Sequence, residues 1–408
     1  MLTCDLLTGQ FKRLVMQGDV ADNGLFERCG VSWPDPSTDV TRCDRLRHGK
    51  QYIHAGKDPV GFPDTSSTFP EIYNQQEQQT IEDPKAEFAM VSLKNMQAAN
   101  EALPRRSITA VFVGATSGIG LGAIESTLKH TKASKLYIIG RSRSKFQETL
   151  TRLEEIDTFA SLTFVEAQVS SLKEVDRVVS IVEQQESYLD ILWLSQGGLD
   201  ASAYTLNDEG ILPSFAITYY SRMLFMHRLA PLLRNSPDQG IISVLSAGEE
   251  GKINTSDLGI QDPKNYGFIS ATKQCVTMMS LAMHEMSLKE PNISFMHTFP
   301  GAVKTNVHDK WARTFTGAWT PVGWAVDWVM TPALHLFSMT AEVAGEIGFY
   351  EMTSKRFAAS KDQNSFRVWD NAEETCGCEE LLMHYRYDGT AKKLWKHTME
   401  AFDKALQG

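Results

Sequence analysis

The residues in this sequence with the clearest chemistry are the glycines of the stretch Val113-Gly114-Ala115-Thr116-Ser117-Gly118-Ile119-Gly120. A run of β-branched and aromatic residues precedes them, and apolar residues at helical spacing follow, so they occupy a turn from a buried strand into a helix. Glycine permits positive φ there and lets an anion approach the main chain closely. The free N–H groups and the dipole of the helix N-terminus favour that anion. The pattern therefore predicts a turn that binds the pyrophosphate of a dinucleotide.

Two arginines follow the end of a second predicted strand, in Ile139-Gly140-Arg141-Ser142-Arg143. An acidic residue at this place would accept hydrogen bonds from the adenosine ribose and repel a 2′-phosphate, and none is present. Guanidinium groups are suited to a phosphate. We therefore expect Arg141, backed by Arg143, to favour NADP(H) over NAD(H). The alternative is that these side chains are merely solvated.

Alternating strands and helices must position these residues. The pattern predicts six strands, at 108–113, 135–140, 162–169, 191–194, 241–245 and 293–299, with a seventh at 347–352. Predicted helices lie at 146–156, 172–185, about 215–233 and 268–286, after a short helical lead from residue 93. Such βαβ alternation predicts an α/β fold, a doubly wound, Rossmann-like parallel sheet of about seven strands.

Three segments stand apart from this alternation. Residues 1–89 contain many prolines and a Gln-rich run without apolar periodicity, so we expect a disordered or loosely attached extension to the 90–408 domain. Residues 319–337 are apolar but interrupted by Pro321, Asp327 and Pro332, which favours a lid helix, within a lid region of about 306–340, over a membrane-surface helix. The charged and aromatic residues 362–408 predict a helical C-terminal cover.

Composition narrows the function. The 408 residues are 42% hydrophobic and 22% charged, which is typical of a globular protein. The net charge of −10 argues against nucleic-acid binding, which needs a clustered cationic face. Cys376-Gly-Cys378 without a second cysteine pair is a poor zinc site, so we expect no metal. No apolar run of signal-peptide length follows Lys12 and Arg13, so we expect a cytoplasmic protein.

From residue 90 onward, the sequence resembles the short-chain dehydrogenases/reductases, especially fungal oxidoreductases of secondary metabolism. Their turn motif is Thr-Gly-x-x-x-Gly-x-Gly, with Val113 here in place of the Thr. The resemblance implies further cofactor contacts after the third, fourth and sixth strands, with Val303 and Thr305 at the nicotinamide carboxamide. These segments are Gln168-Val169, Ser195-Gln196-Gly197 and Pro300-Gly301-Ala302-Val303-Lys304-Thr305. Gln168 replaces the Asp that is usual in the family.

The resemblance also implies a Ser that polarises the substrate oxygen and a Tyr that transfers the proton. Ser246 and Tyr266 match these two positions. The usual Lys, four residues after the Tyr, is replaced by Ser270, and Thr218 occupies the slot of the usual Asn.

The missing Lys matters energetically. Lowering a tyrosine pKa from about 10 to about 7 requires roughly 4 kcal/mol, which a cation about 4 Å away supplies. Lys273 lies about 10 Å along the helix axis from Tyr266 and would supply under ~2 kcal/mol, so it is a partial substitute at best. The alternative is that Lys273 is a solvated helix lysine.

Three functions fit these residues. The first is an NADPH-dependent reductase, or the reverse dehydrogenase, acting on a carbonyl or alcohol of a small apolar metabolite. The second is a non-redox isomerase, dehydratase or cyclase on the same fold, and the third a nucleotide-binding scaffold. Five aromatic residues suggest a bulky apolar or aromatic substrate pocket, with an exposed lid or the protein core as the alternatives: Trp311, Phe315, Trp319, Trp324 and Trp328. The resemblance implies a homodimer or homotetramer through the helices around Thr218 and Lys273. We expect no membrane-surface contact.

Overall fold

The computed structural model describes residues 92–197, 204–304 and 338–407. The strands there are β1 Thr109–Val113, β2 Lys135–Gly140, β3 Ser161–Glu166, β4 Ile191–Leu194, β5 Gly240–Val244, β6 Ser294–Thr298 and β7 Ser365–Val368. The main helices are α1 Leu93–Ala102, α2 Gly118–His130, α3 Arg143–Ile156, α4 Leu172–Gln185, α5 Ser221–Leu233, α6 Phe268–Ser287, α7 Ala341–Thr353, α8 Glu379–Tyr387 and α9 Thr390–Gln407.

All seven strands pair in parallel, in the order β3-β2-β1-β4-β5-β6-β7. The order reverses direction at β1, where the chain crosses to β4. Ligands of such sheets bind beyond the carboxyl ends of the strands at this switch point. The predicted doubly wound parallel sheet is confirmed.

Helices cover both faces of the sheet. Alternate β1 residues point to opposite faces, with Val111 in one apolar cluster and Phe112 in the other. The cluster around Val111 also holds residues of α4, α5, α6 and α9, and the cluster around Phe112 holds residues of α1, α2, α3 and α7. Every residue of β1 is buried, as its unbroken apolar run predicts.

The predicted seventh strand at 347–352 is wrong. These residues belong to α7, which packs on α2 through Gly122 and Gly345. Periodicity alone cannot distinguish a short apolar run in a strand from one in a buried helix. The seventh strand is instead β7, inside the segment predicted as a helical cover, and the predicted helices of that cover are α8 and α9.

Some expectations fall outside the described residues. They are the extension at 1–89, the lid through residue 337, its aromatic residues and Thr305. Within the three described ranges, no helix is long and apolar enough to cross a membrane. Those ranges also hold no group of three or more His, Cys, Asp or Glu side chains arranged for a metal ion.

Candidate active site

The glycine-rich turn is pressed onto the segment that follows β4. Gly114 and Gly118 have positive φ, +76° and +59°. A Cβ at Gly114 would lie 2.8 Å from the Ser195 carbonyl carbon, and one at Gly120 would lie 2.6 Å from Ser195 Oγ. Any larger residue would push the two segments apart, so this packing requires glycine at both positions.

The start of α2 leaves its N–H groups available. Ser117 is the N-cap residue but makes no side-chain hydrogen bond to the helix. Thr116 packs against Gly140 at the end of β2, where a Cβ would lie 2.5 Å from the Thr116 methyl group. Ile119 lines a small cavity together with Pro300. An uncapped helix start beside close-packed glycines fits the pyrophosphate of a dinucleotide.

Arg141 and Arg143 lie just beyond β2, and both are exposed. Neither guanidinium forms a salt bridge within the described ranges. The main-chain nitrogen of Arg143 donates to Glu166 Oε2 at 2.8 Å, and Ser142 caps α3. The loop is therefore held through its backbone and Ser142, which leaves both guanidinium groups for a phosphate.

Gln168 and Val169 follow β3. The Gln168 amide nitrogen donates to Ser170 Oγ at 3.0 Å, so its carbonyl oxygen remains the group that can accept from an adenine amino group. Val169 is buried in the core. Only its main chain can face a cofactor.

The side chains of Ser195 and Gln196 form hydrogen bonds that hold the segment after β4 in place. Ser195 Oγ accepts from Trp193 Nε1 at 2.9 Å and lies 3.3 Å from the carbonyl oxygens of Val113 and Gly114. Gln196 is buried, and its amide donates to Ser221 Oγ at 3.3 Å. Both side chains therefore brace the segment, which leaves the main chain of Gly197, with φ +118°, to approach a ligand.

The Pro300-Gly301 turn follows β6. Gly301 has φ +67°, and a Cβ there would lie 2.9 Å from Cβ of Asp370. Val303 is buried and forms an isolated parallel bridge with Met339. The structure therefore anchors this segment on both sides.

Ser246 lies two residues beyond β5 and is half-buried. Its main-chain N–H donates to His297 Nε2 of β6 at 3.4 Å. The following loop is held by Trp369, whose Nε1 donates to the Ala247 carbonyl at 3.1 Å, and by Cys378, whose thiol lies 3.2 Å from the Glu250 carbonyl. The segment after β7 thus fixes the backbone that carries Ser246.

His297 sits in a buried polar chain. Because Nε2 accepts from Ser246, its proton belongs on Nδ1, which lies 2.7 Å from Ser280 Oγ. Ser280 in turn donates to Glu250 Oε1 at 2.6 Å, and Arg367 pairs with the other Glu250 oxygen at 3.1 Å. Burial, with the cations Arg367 and Arg222 nearby, lowers the pKa of His297 to about 3. His297 is therefore a neutral core histidine.

Tyr266 lies two residues before α6 and is half-buried. Its ring contacts Tyr204 edge-on, with centroids 5.7 Å apart, and its main-chain nitrogen donates to the Pro263 carbonyl at 3.2 Å. Tyr204 is itself anchored, because its hydroxyl donates to the Gln261 carbonyl at 2.7 Å. A turn and an aromatic contact therefore orient Tyr266.

The position of the usual Lys carries no cation. Ser270 donates its hydroxyl back to the Gly267 carbonyl at 2.9 Å. Lys273 is exposed, and its side chain runs along Gly251, with its Cδ 3.0 Å from where a Cβ would lie. Lys273 therefore packs against the loop after Ser246, and its role, like that of Thr218, stays a prediction.

Sequence reasoning missed Arg222. Its guanidinium is buried at the ends of β4 and β5, and together with Thr218 Oγ1 it lies beneath Gly197. The available signal was an arginine inside the apolar run of α5, four residues after Thr218. An arginine at that spacing is expected on the same helical face as the Asn slot.

The sequence of this chain is similar to those of several known proteins. The family model for short chain dehydrogenases matches residues 108–315. Oxidoreductase AN1596 of Emericella nidulans is 34% identical over 341 residues, 78% of this chain and 99% of that protein. Oxidoreductase lepF of Aspergillus flavus is 27% identical, over 78% of this chain and 98% of its own length. Short-chain dehydrogenase/reductase SAT2 of Stachybotrys chartarum is 24% identical, covering 77% and 97%.

One solved structure also aligns with this chain. L-sorbose reductase from Gluconobacter frateurii, complexed with NADPH and L-sorbose, aligns with a TM-score of 0.49 and 20% identity. The alignment covers 66% of this chain and 98% of that one.

Proposed function

This chain belongs to the short-chain dehydrogenase family of NAD(P)-dependent oxidoreductases, and on that premise we propose that it reduces a carbonyl group of a small apolar metabolite with NADPH. The observation that carries the proposal is a shared sheet edge. All strands are parallel, so Ser246 after β5 lies at the same edge as the glycine turn after β1 and the Pro300-Gly301 turn after β6. A role in fungal secondary metabolism, implied by the resemblance, stays part of the proposal.

The bound cofactor would supply the hydride, and the chain would supply hydrogen bonding and the proton. Ser246 Oγ donates a hydrogen bond to the carbonyl oxygen and polarises it. Tyr266 donates its hydroxyl proton to that oxygen as the alcohol forms. The His297 contact keeps the Ser246 backbone fixed, which orients the hydroxyl.

The preference for NADPH rests on Arg141 and Arg143. Both are exposed and without a salt bridge in the described part of the chain, so no carboxylate of that part competes with a 2′-phosphate for them. A charge-assisted, bidentate contact from such a guanidinium is among the stronger hydrogen bonds.

Two measurements test the proposal. NADPH is titrated against the protein by fluorescence, and candidate ketones are then incubated with both while NADPH absorbance and product mass are followed together. We expect binding at micromolar cofactor and alcohol products that are two mass units heavier than the ketone. No detectable binding at millimolar NADPH would overturn the proposal.

Matched variants separate catalysis from binding. Ser246→Ala and Tyr266→Phe should lower kcat by about 10²-fold or more while the dissociation constant of NADPH stays near that of wild type. Ser270→Ala serves as the control, because its hydroxyl is engaged by the Gly267 carbonyl. A control variant as impaired as Tyr266→Phe would contradict the assigned roles.

The second candidate is a non-redox reaction with the same acid and base. It is favoured by one observation: Ser270 stands in place of the Lys, and the Lys273 side chain runs along Gly251. A product of unchanged oxidation state, formed equally well without NADPH, would support it over reduction.

A further inference from the structure

Arg222 is a buried arginine at the centre of the candidate site. Its side chain extends from the start of α5 to the ends of β4 and β5 and is 1% exposed. Its Nη1 donates to the Leu194 carbonyl at 2.9 Å, to the Val244 carbonyl at 2.9 Å and to Ser243 Oγ at 2.8 Å. Its Nη2 donates to the Gln196 carbonyl. One guanidinium therefore joins the segment after β4 to the end of β5.

Within the described ranges, the charge of Arg222 has no counter-ion. All four acceptors are neutral, no carboxylate of the described ranges forms a salt bridge with it, and Nε has no partner in those ranges. Burying an arginine without a carboxylate is costly, and carbonyl dipoles offset only part of that cost. Burial lowers the pKa of Arg222 to about 9, so the group is still a cation at neutral pH. Within the described ranges, the guanidinium charge of Arg222 is therefore not neutralised by a carboxylate in contact with it.

An irregular helical turn precedes Arg222, and the guanidinium lies close to Gly197. A π-helical turn, Ala216–Tyr220, precedes α5 and interrupts the regular helix. Such turns occur often at functional sites, because they change which side chains share a face. A Cβ at Gly197 would lie 3.4 Å from Thr218 Oγ1 and 3.8 Å from Arg222 Nη2. The guanidinium thus lies beneath Gly197, and Val244, which accepts from it, is two residues before Ser246.

We propose that Arg222 is the fixed cation of this active site, in which Ser270 replaces the family's usual Lys. Arg222 acts from beneath the Gln196–Gly197 and Val244–Ser246 segments. It is a positioning residue, because its hydrogen bonds go to the main chain and to Ser243 rather than to a ligand. The inference rests on the proposed function, since it assigns the charge of that same site.

The proposal has a consequence that does not depend on turnover. Oxidised nicotinamide carries one more positive charge than the reduced ring, so a fixed cation nearby disfavours NADP⁺ relative to NADPH. Two unit charges roughly 10 Å apart, at an effective dielectric near 20, change the ratio of the two dissociation constants by about tenfold. A merely structural arginine would affect both cofactors equally.

The test compares wild type with Arg222→Gln and Arg222→Lys. Glutamine keeps amide donors for the carbonyls but loses the charge, and lysine keeps the charge. The dissociation constants of NADPH and NADP⁺ are measured by calorimetry at pH 7, with melting temperature as the folding control. We expect the ratio of NADP⁺ to NADPH constants to fall about tenfold in Arg222→Gln and to stay within about threefold of wild type in Arg222→Lys. A ratio unchanged in Arg222→Gln would overturn the proposal.

A second measurement covers the case in which Arg222→Gln does not fold. A buried ammonium loses its proton at lower pH than an exposed one, so the lysine variant is titrated between pH 6 and 8.5. A ratio that matches wild type at pH 6 and falls as the lysine loses its proton supports the proposal. A ratio that differs from wild type at pH 6, or that does not fall once the lysine is neutral, overturns it. Wild-type binding of NADPH tests the proposed function separately, so the two failures are distinguishable.

Discussion

At the scale of single residues, Arg141 decides the cofactor preference in our proposal. Its loss would remove a charge-assisted contact of about 1.5–3 kcal/mol, so Arg141→Ala should weaken NADPH binding roughly tenfold to a hundredfold. NADH lacks the 2′-phosphate, so its dissociation constant should barely change. Arg143→Ala is the matched control and should have the smaller effect, because Arg141 directly follows β2. An equal loss for both cofactors in Arg141→Ala would make that arginine structural.

Glu351 of α7 makes stability depend on pH. Burial, with the nearby Asp370 carboxylate, raises the pKa of Glu351 from its ordinary 4.5 to about 8. The folded protein therefore binds a proton that the unfolded chain releases, so this group's stabilisation is complete below about pH 4.5 and is lost as pH rises to about 8, at up to about 1.4 kcal/mol per pH unit.

Replacing that carboxyl group removes the dependence. Glu351→Gln should match wild type near pH 5 and have the larger free energy of unfolding at pH 8. Urea unfolding at both pH values checks this, with Glu342→Gln, an exposed position of the same helix, as control. Parallel pH curves for wild type and Glu351→Gln would refute the assignment.

At the scale of elements, the close packing of α7 on α2 depends on two glycines. A Cβ at Gly345 would lie 2.8 Å from Gly122 Cα, and backbone cannot move aside as a flexible side chain can. Helix propensity alone predicts that Gly→Ala inside a helix stabilises by up to about 1 kcal/mol. We expect the opposite sign for Gly345→Ala, a loss of roughly 1–3 kcal/mol or more through overpacking.

The control for that substitution lies in β5. A Cβ at Gly240 would be 3.9 Å from the Met296 methyl group, which is ordinary contact. Gly240→Ala should therefore change the free energy of unfolding little, as thermal or urea unfolding of both variants would show. A stabilised Gly345→Ala would mean that the two helices can separate without loss.

At the scale of the whole molecule, the C-terminal helix covers surfaces that the family is expected to use for association. Every residue of α6 from Gln274 to Met283 is buried within one chain. Polar contacts fix the position of α9. Thr398 Oγ1 lies 2.7 Å from the Tyr219 hydroxyl, and His397 Nε2 lies 2.7 Å from the Tyr220 hydroxyl. The homodimer or homotetramer stays a prediction, and partner contacts would have to involve surfaces other than this part of α6.

Two substitutions on α9 test whether the packing of this helix stabilises the protein and covers apolar surface. Phe402 is 4% exposed, so Phe402→Asp would bury an unpaired carboxylate, release the helix and expose apolar surface. We expect a lower melting temperature and a larger mass by light scattering. Lys396→Asp, whose side chain is 78% exposed, should behave like wild type within about 0.5 kcal/mol. A Phe402→Asp protein with wild-type mass and melting temperature would contradict this role of α9.

The sequence by itself determined the features that depend on near neighbours along the chain. The run Thr109–Val113, the glycines at 114, 118 and 120 and the apolar spacing of α2 define a strand, a turn and a helix start without reference to distant residues. Six strands and the doubly wound class followed from that local pattern, because each repeat of strand and helix has its own hydrophobic period.

Only the tertiary structure decided which distant residues meet. The apolar pattern of residues 347–352 is compatible with a buried helix and with a strand. The close contacts of Gly345 with Gly122 and of Gly348 with Trp193 favour the helix. Ser365–Val368 becomes the edge strand because Phe295–Thr298 offers it a parallel register. In the sequence, Arg222 is one of several polar residues of α5, with His227 and Arg228 on the same helix. Its position beneath Gly197 exists only because β4, β5 and α5 come together. The spacing of residues along the chain determines the local hydrogen bonds of strands, turns and helices. The position of a buried charge depends instead on contacts between residues that are far apart in the sequence.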